Sequence, residues 1–289
     1  MKTITCWPAP AKLNLFLYIN SRYPNGYHHL QTLYQFLDYG DLLFIRINNS
    51  GSIDVSPKYI DHIKIENNLI IKAGNLLRHQ AQKDHRLFPL NAGAEIELVK
   101  NLPIGGGLGG GSSDAATTLL ALNYLWKTQF SIDDLTILGL QLGIDVPIFI
   151  KGYASFAEGV GNQFHKVKIP EKWYVIIDPG VRISTAQVFG DPELKRNTTY
   201  RVLRELLHTK PFTNDCELIV RKRFPELEKI FSWLQKYTHP RLTGTGSCIF
   251  GEFDTELSAS QVLSQAPPGI QGFVSKGLNI SPLHKFLYL

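Results

Sequence analysis

Pro103-Ile104-Gly105-Gly106-Gly107-Leu108-Gly109-Gly110-Gly111-Ser112-Ser113-Asp114-Ala115-Ala116 is the most informative stretch of this 289-residue chain. Six of the seven residues at 105–111 are glycine, and Ala115, Leu119, Leu122 and Trp126 then follow at helical spacing. A strand expected at 94–100 runs into the loop from the other side. Glycine lets main-chain N–H groups converge on a ligand, and the first turn of a helix adds unpaired donors at its positive end. Such a place binds phosphate. The hydroxyls of Ser112 and Ser113 could cap the helix, touch phosphate or reach a magnesium ion, and the residues alone leave these uses open.

Other glycine-loop readings fit less well. Gly105, Gly107 and Gly110 satisfy G-x-G-x-x-G, but a dinucleotide fold needs an acidic residue ending the next strand, and Asp133 and Asp134 sit instead at a helix start. No Lys-Ser or Lys-Thr follows the last glycine, so the loop is not a Walker A motif. A flexible linker does not belong between a strand and an amphipathic helix.

Upstream, residues 11–20 alternate, which predicts a strand with Lys12 and Asn14 on one face. Turns are expected at Pro24-Asn25-Gly26 and at Asp38-Tyr39-Gly40-Asp41, the latter before a strand at 42–47. Asn48-Asn49-Ser50-Gly51 suggests a hairpin into 52–56, and a helix is expected at 68–82. Ser131-Ile132-Asp133-Asp134 has capping-box character and opens a helix that Gly143 would close and Pro147 would not let continue. Beyond Gly152, strands are expected at 153–158, 173–177, 247–253 and 272–276, with helices near 199–207, 216–223 and 225–236. The absence of a long parallel βαβ run makes the class α+β, and the length suits two domains.

Composition limits the function. Lys and Arg number 30 against 25 Asp and Glu, a net charge of +5 that suits an anionic small molecule. The basic residues are scattered, and Arg221-Lys222-Arg223 falls in a helical stretch, so no nucleic-acid partner is expected. Cys6, Cys216 and Cys248 have neither disulfide nor zinc spacing, and adjacent His28 and His29 would face opposite sides of a strand. The N-terminus lacks a signal-peptide core and no apolar run would span a bilayer, so no membrane partner and a cytoplasmic location are expected.

The glycine stretch resembles the ATP-binding loop of the GHMP kinases. Ala9-Pro10-Ala11-Lys12-Leu13-Asn14-Leu15 resembles that family's first motif, and Leu242-Thr243-Gly244-Thr245-Gly246-Ser247 its third. Asn25-Gly26-Tyr27-His28, Gly143-Ile144-Asp145-Val146-Pro147 and Phe156-Ala157-Glu158-Gly159-Val160-Gly161 are similar to a branch that phosphorylates a cytidine-diphosphate-linked methylerythritol.

The resemblance implies an N-terminal domain over 1–158, like the second domain of ribosomal protein S5, and a ferredoxin-like domain over 159–289, with the substrate cleft between them. It implies ATP with Mg2+, whose carboxylate ligand the sequence does not name. ATP would meet Asn68, Leu69, Lys100 and Pro103, the loop Gly105, Gly106, Gly107, Leu108, Gly109, Gly110 and Gly111, and then Ser112 and Ser113. Alone, Asp145 reads as a turn aspartate and Lys12 as a strand lysine; the resemblance makes them the catalytic pair, Asp145 as base. Lys12 could keep Asp145 ionised, polarise the acceptor hydroxyl or draw charge from the γ-phosphate. The small-molecule acceptor would meet Asn14, with cytosine sandwiched by Tyr27 and Phe189, His28 at its polar edge and Thr185 nearby. Two rivals are an RNA-binding S5-like module and a sister kinase for mevalonate, homoserine or a sugar. Those acceptors present no base to stack on aromatic residues.

Overall fold

The computed structural model describes residues 4–57, 67–208 and 211–287. A long antiparallel pair, β1 (Thr5–Arg22) and β2 (His28–Asn48), is the backbone of the first half. β1 is buried on both faces from Trp7 to Tyr18, so its period-2 pattern sorts neighbours rather than solvent from core. The expected turn at 38–41 is absent: β2 runs straight through it. Gly40 serves strand contact instead, since a Cβ there would lie 2.2 Å from the Ala9 carbonyl oxygen.

The expected hairpin after Asn48 is also replaced. β3 (Ile53–Ser56) pairs in parallel with β4 (Gly93–Val99), and β4 takes the β2 edge that a hairpin would have used. Helix α1 (Leu69–Lys83) connects them, capped by Asn68 Oδ1, which accepts from Ile70 N at 2.9 Å. α2 (Gly110–Trp126) and α3 (Ile132–Leu142) pack beside it, and the Ser131–Asp134 capping box forms as expected. A short helix, α4 (Val146–Lys151), begins at the point read only as a stop, because proline is tolerated in a first helical turn.

β5 (Ser155–Glu158) joins β2, and β6 (Gln163–Lys166) joins β5. The second half then holds β7 (Trp173–Asp178), α5 (Thr185–Gly190), α6 (Leu203–His208), α7 (Glu217–Arg223), α8 (Glu228–Leu234), β8 (Arg241–Leu242), β9 (Ile249–Phe253), α9 (Glu256–Leu263) and β10 (Gln271–Leu278). Its strands lie in the order β10-β7-β9-β8, all antiparallel, which is the ferredoxin-like arrangement. β10 also pairs with β2 through Gly277–Leu37 and Leu278–Phe36, so one mixed sheet crosses both halves. The chain then returns: α10 (Pro282–Leu287) packs on β1 and buries Leu283 in the first half's core. The class is α+β with two packed domains. Among the described residues no helix is long and apolar enough to cross a membrane.

Candidate active site

A cleft of about 580 Å³ opens where the two halves meet, walled by β1, the glycine loop, the start of α1, Asp145, α5 and the 244–246 turn. Gly105, Gly107 and Gly109 have φ of +78°, +78° and +77°, conformations that side-chain-bearing residues avoid. α2 starts at Gly110 with no side-chain cap on its first turn, leaving its N–H groups available to an anion.

The glycines also answer to packing. A Cβ on Gly107 would sit 2.2 Å from the Thr243 carbonyl oxygen, and one on Gly106 2.5 Å from Cys248 Sγ, both in the second half. A Cβ on Gly105 would meet nothing within 4 Å. Gly107→Ala is therefore expected to lose at least about 2 kcal/mol of stability, and Gly105→Ala about 1 kcal/mol from its backbone conformation alone. Denaturant titration compares them, and equal losses would mean that the loop is not wedged against the second half.

Within the loop only some side chains face the cleft. Pro103 and Ser112 line it, whereas Leu108 packs in the core and Ser113 is 0% exposed with an unpartnered Oγ, so those two can offer a ligand only main chain. Asn68 and Leu69 line the wall at the head of α1, and the Asn68 carbonyl oxygen of its side chain is already engaged as the helix cap.

Lys12 is 3% exposed and its ammonium has three partners: Asn14 Oδ1 at 2.6 Å, the Gly107 carbonyl at 2.9 Å and Asp145 Oδ2 at 3.5 Å. The backbone N of Lys12 also donates to the Leu108 carbonyl at 3.0 Å, so strand and loop are laced together. Asn14 Nδ2 donates to Thr32 Oγ1 at 2.8 Å, which fixes the amide's orientation. The Tyr34 hydroxyl donates to Asp145 Oδ1 at 3.3 Å, and Lys12 Nζ lies 5.5 Å from the centre of the Tyr34 ring. Burial and the neighbouring Asp145 carboxylate push the Tyr34 phenol well above its ordinary range, so it remains a donor. Asp145 itself, with its side chain 31% exposed, is held at both oxygens yet open to the cleft.

Lys100 lies at the cleft edge between two carboxylates, Asp41 and Asp114. Burial opposes its charge, but Asp114 and Asp41 outweigh that and raise its pKa. Asp41 Oδ1 also accepts from Asn101 N at 2.7 Å and Leu102 N at 2.8 Å. Burial pushes the Asp114 carboxyl above the usual carboxylate range, against the pull of Lys100, and its Oδ1 is unpartnered. This bridge ties the end of β4 to the first turn of α2.

At the opposite rim stand the aromatic residues expected to hold the base. Phe189 stacks on His28, with ring centres 5.0 Å apart, and Tyr27 is 60% exposed and outside the cleft wall. Thr185 lines the cleft, its hydroxyl 2.9 Å from that of Thr245. Sequence reading missed Tyr34, Thr32 and Arg196, and quoted Asp41 and Thr243 without giving either a role at the site. Asp114 stood in the quoted stretch without a role, and Tyr34 becomes visible only through its pairing opposite Asn14.

Among the described residues no three His, Cys, Asp or Glu side chains gather as a metal cage. Ser112 lines the cleft at the start of α2, and its hydroxyl is the oxygen there that a magnesium ion carried on phosphate would meet.

The chain matches the model for the GHMP kinases N terminal domain over residues 68–153 and that for the GHMP kinases C terminal over residues 193–267. Among solved structures it is similar to a 4-(cytidine 5'-diphospho)-2C-methyl-D-erythritol kinase at 28% identity and TM-score 0.81, covering 94% of this chain and 99% of that one. Methanococcus jannaschii mevalonate kinase is similar at 17% identity and TM-score 0.67, covering 96% and 99%. A homoserine kinase from Cytophaga hutchinsonii is similar at 15% identity and TM-score 0.60, covering 93% and 95%. At those lower identities the likeness is one of fold alone.

Proposed function

We propose, since this chain belongs to the GHMP kinases, that it transfers the γ-phosphate of ATP to the 2-hydroxyl of a cytidine-diphosphate-linked methylerythritol. The observation that carries the reading is the 3.5 Å approach of Lys12 Nζ to Asp145 Oδ2 inside the same cleft as the uncapped start of α2. The similarity to a kinase of that cytidine substrate over 94% of the chain supports the choice of acceptor.

ATP with its magnesium ion supplies, when bound, the electrophilic phosphoryl group and part of its charge neutralisation. The main-chain amides at 105–112 hold the triphosphate, with the Ser112 hydroxyl facing it. Lys100, engaged by Asp41 and Asp114, holds the wall beside that loop in place. On the acceptor side Asp145 takes the proton of the attacking hydroxyl, and one of its oxygens is steadied by Tyr34. Lys12 faces both reactants and offsets the negative charge that develops between them, while Asn14 keeps its ammonium aimed. Phe189 and Thr185 line the cleft on the side offered to the base, and His28 stacks on Phe189 there.

ATP consumption is to be measured with the cytidyl methylerythritol acceptor, its uridine analogue, mevalonate, homoserine and galactose. Turnover confined to the first is the expected result. Preferential turnover of mevalonate, homoserine or galactose would overturn the acceptor, and no turnover with any would overturn the kinase reading.

A further inference from the structure

The residue that organises the base-binding wall was not visible in any motif. Arg196 lies on the segment after α5, and its guanidinium spans two turns of chain. Nε donates to His28 Nε2 at 3.0 Å, one terminal nitrogen to the Leu194 carbonyl at 3.1 Å, and the other to the carbonyls of Phe189 at 2.9 Å and Asp191 at 2.6 Å. One side chain therefore fixes both members of the His28–Phe189 stack.

A guanidinium has only donors and does not lose its proton in proteins, so the atom facing it must accept. A neutral imidazole that accepts at Nε2 carries its proton on Nδ1. An imidazolium would oppose N–H to N–H and cation to cation. Burial, then the charges of Arg196 and Arg22, lower the His28 pKa and keep the ring neutral. Among the described residues no partner meets Nδ1.

We propose that Arg196 is a positioning residue that locks His28 in the Nδ1–H tautomer, which leaves one fixed N–H donor beside the cleft-lining Phe189 and selects a base that accepts there. Cytosine presents acceptors at O2 and N3, whereas uracil carries a hydrogen on N3. A fixed Nδ1–H is matched by cytosine N3 and opposed by the uracil N3–H, and a buried donor left without an acceptor is the stronger source of discrimination. The selectivity half of this inference rests on the cytidine-acceptor reading; the tautomer half does not.

The experiment has two arms on the full chain. In substrate-free protein with 15N-labelled histidine, the signals lost in His28→Gln identify His28, and its shifts are expected to show a protonated Nδ1 and an imine-type Nε2. Arg196→Met, which removes the donors and keeps the apolar stem, should return the ring to the Nε2–H form that predominates in water. An Nε2–H ring in the parent protein overturns the proposal, and that arm stands even if the variant fails to fold. In the kinetic arm, Arg196→Met should raise KM for the cytidine acceptor about tenfold, with a smaller change in kcat, and cut the cytidine-over-uridine preference about tenfold. An unchanged preference in a folded variant overturns it. If the parent shows the Nδ1–H ring but consumes no cytidine acceptor, the acceptor reading fails and the selectivity half falls with it, while the tautomer assignment holds.

Discussion

Asp145→Asn should lower kcat by about 10²–10⁴-fold while ATP binding is retained. The carboxylate stands at the head of α4, with Tyr34 on Oδ1 and Lys12 near Oδ2. An asparagine of the same size keeps an oxygen for the Tyr34 hydroxyl but has no basic oxygen for the proton of an attacking alcohol. Its amide nitrogen would also turn a donor towards the Lys12 ammonium. Steady-state turnover and calorimetric titration with a non-hydrolysable ATP analogue separate the two readouts. Activity within tenfold of the parent would remove Asp145 from proton transfer.

Lys12→Met should lose about 10²–10³-fold in kcat, the usual result of removing one preorganised charge from a transferring group. The thioether keeps the apolar stem in its buried slot. The Asn14 Oδ1 and Gly107 carbonyl oxygens lose their shared donor, which should cost about 1–3 kcal/mol of stability. Pairing the rate with a denaturation curve distinguishes this from unfolding. A raised acceptor KM with kcat unchanged would make Lys12 a binding group alone.

The glycine loop and the helix after it were legible because their causes are local. A dense glycine run before a helical stripe needs no distant partner to be understood, and the shared face of Lys12 and Asn14 follows from strand alternation. Asp145 was different. Its sequence neighbours describe a turn, and only the family resemblance attached chemistry to it, because its partners Lys12 and Tyr34 lie on strands far away in the chain. Thr243, which accepts from the backbone N of Asn14 at 3.1 Å, is hidden for the same reason. Gly40 permits a close strand crossing where a turn was expected, and the helix that Gly143 closes does stop before Pro147, which itself sits in the first turn of a further short helix. Asn48–Gly51 does form a turn, with Ser50 N donating to Asn48 Oδ1 at 3.0 Å, but pairing is decided by which strand occupies the β2 edge. The stack of His28 on Phe189 joins residues far apart in the chain and was hidden for the same reason.

The Gly107 carbonyl oxygen receives the Lys12 ammonium from one direction and the Thr243 hydroxyl, at 3.4 Å, from another. A single main-chain atom of the glycine loop thus ties a side chain of β1 and one from the second half to the same point. Loop, strand and second half are in this way held in register by the polypeptide itself.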